Sequence, residues 1–531
     1  MSILSRVACV LFILVGTATP ALADEETSEY LIIQTSTGTF AGDQIGQVNR
    51  FLGIPFAAPP VGTLRWKAPK TPAPQSGVHS AHNFKSPCVQ VGGIFGSSDP
   101  RTFGQNLGSE DCLYLNVWAP VAAYNRPVVL FIHGGSNVFG TGALNVYDGT
   151  RFAQEANAVY ITTNYRLGFF GGMHLPALAD YNPLDDSGDY GLLDIIQALK
   201  WVQQNAAAIG GDSSNVTVVG QSAGCINVYS LLESPVATGT FQKAICMSGL
   251  QAHSSVDDAT KNATGLIANL LLADGLIGNY NDASAYIQRV GNQAIQTYLS
   301  KKTSAEILTA TARPIPGTLS IGTASLSVSL NIADGTVIPV PPAVGEPPII
   351  NKVPTILSTV KNESGLLIFF GYTAAGFTQQ QFWAYDQSNN PNLRASDFMP
   401  LVPNQVEFAA VTTAADPALG VLIDVSAASL ATTMPVVYRS ELDWASYPSP
   451  WVDFFHSFHG LDVCFNFDSF PVGEPNLMNF VTPSSSRQIL GQKMVSAVRG
   501  FIETGDPNTY LGQYNLYWQP WKQSPVRFIW Q

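Results

Sequence analysis

Short, nearly continuous apolar runs alternate along the middle of the chain with longer segments in which apolar residues recur every three or four positions. Pro127 to Ile132, Ala158 to Thr163, Val216 to Val219 and Lys243 to Met247 have strand length and carry no alternating polar face. Between Tyr190 and Ala208, Leu192, Leu193, Ile195, Ile196, Leu199 and Val202 fall at helical spacing among charges and glutamines. Strands that are apolar on both sides and separated by helices predict an α/β fold, a mostly parallel sheet covered by helices on each face. The pattern weakens from Gly265 to Gly345, a stretch rich in Ala, Ser, Thr and Leu that ends in Pro339-Val340-Pro341-Pro342. It reads as a helical insertion followed by an extended connector inside the same domain. Strand pattern resumes at Val353 to Val360.

Composition narrows the partners. Of 531 residues, 46% are hydrophobic and 12% charged, enough to bury a large core. Lys and Arg number 26 against 38 Asp and Glu, a net charge of -12 with no basic run or basic-aromatic cluster, so no nucleic-acid partner is expected. Internal repeats and low-complexity linkers are absent, which predicts a single domain over residues 24–531.

The first residues have a different design. Arg6 precedes the apolar stretch Val7 to Gly16, and small residues follow, ending in Ala21-Leu22-Ala23 before the acidic Asp24-Glu25-Glu26. A cationic start, a short apolar core and an A-x-A end predict a secretory signal over residues 1–23, cleaved after Ala23, and hence a secreted or periplasmic chain. About ten apolar residues fall short of the roughly 20 needed to cross a bilayer, and no later segment is expected to span one. Cys9 leaves with the signal, so Cys88, Cys112, Cys225, Cys246 and Cys464 remain, an odd number that requires at least one free thiol. Cys88 and Cys112 flank the Gly/Ser-rich loop Val91 to Ser109 and read as a surface disulfide. Cys225 and Cys246 lie in apolar runs and are expected to be buried, inert thiols. Of the sequons at Asn215, Asn262 and Asn362, only Asn262 is expected to be open to a glycan.

Gly220-Gln221-Ser222-Ala223-Gly224 follows the strand Val216 to Val219 and opens the helical segment Cys225 to Leu232. A serine at the apex of a strand-turn-helix, with glycine two residues away on each side, is the arrangement that exposes a nucleophilic Oγ at the helix N-terminus. Such a serine needs a base, a group that orients the base, and donors for an oxyanion. Of seven histidines, His79, His82, His174 and His253 lie in polar or irregular stretches, and His133, at the end of an apolar strand, suits a structural role. His456 and His459 remain, and His459 is favoured because a glycine follows it. Chain order Ser, acid, His confines the acid to residues between 222 and 459. Glu363 closely follows the strand Val353 to Val360 and fits that role, as it also fits an exposed loop glutamate. The turn His133-Gly134-Gly135-Ser136, with Ala223, supplies backbone N–H donors for an oxyanion at Gly134, Gly135 and Ala223. Neither a His/Cys/Asp cluster at ligand spacing nor a phosphate-binding glycine loop occurs, and no metal or cofactor is expected.

Assembled, these residues resemble the type-B carboxylesterase family, which includes cholinesterases and some fungal lipases. The resemblance runs through Phe51 to Pro60, Leu64-Arg65-Trp66, Ser109 to Val117, Asn164 to Gly168, Gly210-Gly211-Asp212, Asn215 to Gly224 and Asp334-Gly335. It implies an α/β-hydrolase fold, a triad of Ser222, His459 and Glu363, and a Cys88–Cys112 disulfide closing a flap beside the active-site gorge. The chain departs from the family pattern at Gln221, where Glu is common, and at Ser136 and Ser364, where glycine is usual. Its flap carries Phe95 and Phe103 but no tryptophan, so choline esters are not the expected substrates. The expected function is a secreted serine carboxylesterase acting on small uncharged or weakly polar esters. The alternatives are a lipase whose flap lids a long acyl tunnel, and a non-catalytic adhesion domain on the same fold. The segments Gly265 to Gly345 and Phe377 to Tyr385 are the candidate walls of the substrate pocket.

Overall fold

In the computed structural model the apolar runs form the centre of one mixed sheet. The structure describes residues 31–531 except 317–319, 322–323, 326–330, 344, 367–375, 389, 391, 399–404 and 471–477. The expected signal peptide lies outside the described residues, and Leu31–Gln531 forms one compact unit.

Among the described residues twelve strands make up the sheet. They are β1 (Leu31–Thr35), β2 (Gly38–Ile45), β3 (Val48–Pro55), β4 (Val78–Ser80), β5 (Tyr114–Pro120), β6 (Arg126–Ile132), β7 (Val159–Thr163), β8 (Gly211–Gln221), β9 (Lys243–Met247), β10 (Thr355–Val360), β11 (Val437–Leu442) and β12 (Phe528–Trp530). Their order is β1-β2-β3-β5-β7-β6-β8-β9-β10-β11-β12, with β4 beside β2. Pairing is antiparallel from β1 to β7 and parallel from β7 to β12. The parallel part contains the four apolar runs and the strand after the connector. Alternate residues of these strands feed two cores: Val129, Phe131, Val219 and Ile245 pack on one side, and Val128, Leu130, Ile132 and Val218 on the other.

Register places the functional turns. Ile132 pairs with Gly220, Gln221 with Met247, and Met247 with Ser358. The turns that leave β6, β8 and β10 therefore emerge side by side at the carboxyl edge of the sheet, where open α/β sheets bind ligands.

The weakly patterned stretch is helical from earlier than expected. Helix α1 (Val256–Ala273) is capped by the Ser255 side chain, which accepts from the Asp258 N–H. Ala263, Leu266, Ile267, Leu270 and Leu271 of α1 meet Ile295, Leu299 and Ile307 from two shorter helices between Asn292 and Thr311, forming a third core. A longer helix, α2 (Gln405–Leu430), buries Ile423, Ala427 and Leu430 of its second half in one of the two main cores. Its Thr412–Leu430 section is long and apolar enough to cross a membrane by length and composition alone, which corrects the expectation that no later segment would be. Two aspartates tie that helix to the fold. Asp416 accepts from Ser364, and Asp424 takes Arg439 and Arg527.

Candidate active site

Gly220 and Gly224 make the sharp turn at the end of β8 possible. A Cβ on Gly220 would stand 2.1 Å from the Gly224 carbonyl oxygen, and one on Gly224 would stand 2.1 Å from the Ile132 carbonyl oxygen. Between them Ser222 is held at φ 58° and ψ -123°, a conformation that L-residues avoid. Its backbone N–H donates to the Met247 carbonyl at 2.8 Å, and its carbonyl accepts from Cys225 at 2.9 Å, at the start of helix α3 (Ala223–Glu233). The side chain therefore stands at a helix N-terminus, where developing negative charge is stabilised.

The glycine turn after β6 lies against this serine. A Cβ on Gly134 would approach Ser222 Cβ to 2.9 Å, and Gly135 has φ 107° with the Phe139 carbonyl oxygen 2.0 Å from any added Cβ. Ser136, where glycine is usual, also adopts a left-handed φ of 53°. His133 has the expected structural role. Its Nδ1 is 2.7 Å from the Gly134 carbonyl, its ring stacks on Tyr165, and burial pushes its pKa down to about 4.

Glu363 and His459 come from loops that are laced together. The Asn362 N–H donates to the Ser457 carbonyl at 2.9 Å, and the Ser457 N–H returns to Asn362 Oδ1 at 3.3 Å. That lacing sets His459 Nδ1 2.6 Å from Glu363 Oε2, while Glu363 Oε1 accepts the Val360 N–H at 3.0 Å. Glu363 is buried, not an exposed loop residue, and His456 points to solvent. A further carboxyl, Asp462, is buried nearby. Burial, then the neighbouring Glu363, push its pKa up to about 7.

A cavity of about 1120 Å³ meets Ser222, Glu363 and His459. Ile226, Leu250, Gly265, Ala268, Ile315 and Ile423 supply much of its apolar wall. The insertion thus contributes through α1 and its neighbours, whereas no described residue of Phe377 to Tyr385 lines the cavity. Among the described residues no group of three or more His, Cys, Asp or Glu is placed to hold a metal ion.

Comparison with known proteins identifies the lineage. The model of the carboxylesterase family matches residues 29–529. The chain belongs to the carboxylesterase family. This carboxylesterase-family chain is 40% identical over 258 residues to a fumonisin B1 esterase of Sphingopyxis macrogoltabida, covering 48% of the chain and 46% of that protein. It is 38% identical over 255 residues to a para-nitrobenzyl esterase of Bacillus subtilis, covering 48% and 51%, and 33% identical over 383 residues to human cocaine esterase, covering 69% and 61%. The alignments thus span about half to three-fifths of these curated relatives. Among solved structures, a thermophilic PNB esterase matches with a TM-score of 0.71 and 28% identity, covering 94% of this chain and 95% of that one. The fold is that of the α/β-hydrolases, as expected.

Three expectations need correction. Cys225 and Cys246 are not separate thiols but a buried disulfide, with Cα atoms 4.7 Å apart, joining helix α3 to strand β9. The pairing depends on the parallel register of β8 and β9, which apolar patterning does not reveal. Cys88 and Cys112 pair, with Cα atoms 4.9 Å apart, but both are buried instead of lying at the surface, and among the described residues Cys464 is the free thiol. Asn262 is only 5% exposed and lines the cavity, so the one sequon expected to be open is covered.

Proposed function

We propose that this chain is a secreted carboxylic-ester hydrolase that works through Ser222, His459 and Glu363 by way of an acyl-enzyme. The observation that carries the reading is the 2.6 Å contact between His459 Nδ1 and Glu363 Oε2 on the wall of a cavity that Ser222, on its strained turn, also lines. With Nδ1–H donated to the carboxylate, the imidazole is the tautomer whose Nε2 accepts a proton. Ser222 Oγ attacks the ester carbonyl and its proton passes to Nε2. The carbonyl oxygen becomes an oxyanion within reach of the Gly134, Gly135 and Ala223 N–H groups. Collapse breaks the bond to the alcohol oxygen, which leaves with the proton from Nε2. Water, deprotonated by the same nitrogen, then releases the acid and restores Ser222.

Esterase names among the relatives support the reaction class, and two disulfides fit an exported chain. The apolar cavity wall favours uncharged esters. Hydrolysis of p-nitrophenyl esters from acetate to palmitate, with Ser222→Ala alongside, tests the proposal. Activity that vanishes in the variant supports it, and equal hydrolysis by both proteins refutes it.

A further inference from the structure

The residue before the proposed nucleophile is glutamine here, and it does not point away from the chemistry. Gln221 is 5% exposed, and its Nε2 lies 3.0 Å from His459 Nε2. The other imidazole nitrogen faces Glu363 at 2.6 Å. A carboxylate only accepts, so Nδ1 carries the proton of the neutral ring and Nε2 presents a lone pair. The hydrogen bond across the 3.0 Å gap is then donated by the Gln221 amide. The amide oxygen lies against the glycine turn, 2.8 Å from the point where a Cβ on Gly134 would stand. Gln221 therefore bridges the glycine turn and the imidazole, and it touches the atom that must receive the Ser222 proton.

Resting on the triad reading above, we propose that Gln221 is a positioning residue that steers His459 by donating to Nε2 in the resting enzyme and favours the neutral, proton-accepting ring. A donor at Nε2 stabilises the neutral imidazole and opposes the imidazolium, whose own Nε2–H would face that amide N–H. A carboxylate at position 221 would have the reverse effect, accepting from the imidazolium and holding it charged. Glutamine at this position thus extends activity toward lower pH than glutamate would allow.

Other ionisable groups face the same histidine. Glu363 contacts it directly, Asp462 is buried beside it, and Asp258, Lys261 and His253 line the cavity. All five are unchanged by substitution at position 221, so a difference between variants reports on that position.

The test is the pH profile of kcat/KM for p-nitrophenyl acetate with wild type, Gln221→Glu, Gln221→Met and Ser222→Ala. The acid limb of Gln221→Glu is expected to move up by about one pH unit, as an added charge partner at this distance does. Gln221→Met keeps the volume but lacks the donor. It is expected to lose about tenfold in kcat with KM within twofold, and its acid limb moves up by less than that of the glutamate variant. An acid limb that stays in place or moves down in Gln221→Glu overturns the proposal, as does a Met variant with wild-type kcat and profile. Activity in Ser222→Ala overturns the triad reading itself, whereas an inactive Ser222→Ala with an unmoved Gln221→Glu profile overturns only the assignment of Gln221.

Discussion

Asp416 accepts both the backbone N–H of Ser364 at 2.8 Å and its hydroxyl at 2.5 Å through the same carboxylate oxygen. The other oxygen of Asp416 takes the Asn362 amide at 3.2 Å. The two residues on either side of Glu363 are thereby hooked to helix α2. Serine at position 364, where the family usually has glycine, supplies one of these hooks. Removing the carboxylate with Asp416→Ala leaves Glu363 in place chemically but frees the loop that holds it. Loss of about tenfold in kcat is expected with little change in KM, since small misplacements of a catalytic group cost rate before binding. Steady-state kinetics with circular dichroism as the folding control checks this.

Gly134 provides the sharpest steric test of the proposed oxyanion turn. Its missing Cβ would lie 2.9 Å from Ser222 Cβ and 2.8 Å from Gln221 Oε1. Gly134→Ala must push the turn away from the serine. Loss of one oxyanion donor typically costs about 10²–10³ in kcat. A loss in that range, with burst-phase acylation slowed to match, is the expected result of stopped-flow measurement.

The sulfur pairing has a countable consequence. Cys464 is the free cysteine among the described residues, and the other four are paired. Titration of a denatured chain that begins at Asp24 should give one thiol, and three would restore free Cys225 and Cys246. Replacing both of those with Ala, across a sequence separation of 21, is expected to lower stability by about 3 kcal/mol in urea unfolding.

Much of the fold was legible because two-sided burial leaves a plain signal. Lys243 to Met247 is β9 to the residue, and Pro127 to Ile132 is β6 but for its first residue. The serine turn was readable because its glycines are a steric necessity, visible in the 2.1 Å contacts that any Cβ would make. Several residues carrying the family resemblance prove to be joints. Glu110 receives Arg65 in a two-point ion pair, Asn116 accepts the Gly53 N–H, and Arg166 is buried on Asp194. Contacts between segments distant in sequence were not legible. Asp416 lies 52 residues from Ser364, Gln221 lies 238 from His459, and the Cys225–Cys246 pair depends on strand register. Nothing local in hydropathy or spacing encodes such meetings.

The stability that Asp386 contributes should be lost as pH rises toward neutrality. Burial pushes the pKa of Asp386 up to about 7 from an ordinary 3.8, even though the Phe480 N–H donates to it at 2.9 Å. A carboxyl with a raised folded pKa binds its proton more tightly in the folded chain. Its contribution is complete below about pH 4 and is lost as pH climbs through about 7. Asp386→Asn keeps the acceptor oxygen and removes the titration. Wild type should therefore lose more melting temperature than the variant between pH 5 and 8.5, and parallel melting curves across that range would contradict the assignment.

Ser222 is the proposed nucleophile. The most direct measurement is peptide mapping by mass spectrometry after reaction with a fluorophosphonate ester, run beside time-dependent loss of esterase activity. One adduct per chain is expected, on Ser222, with inactivation in step and neither adduct nor activity in Ser222→Ala. Full inactivation with the adduct on a different residue, or a hydrolytically competent Ser222→Ala, would contradict that assignment.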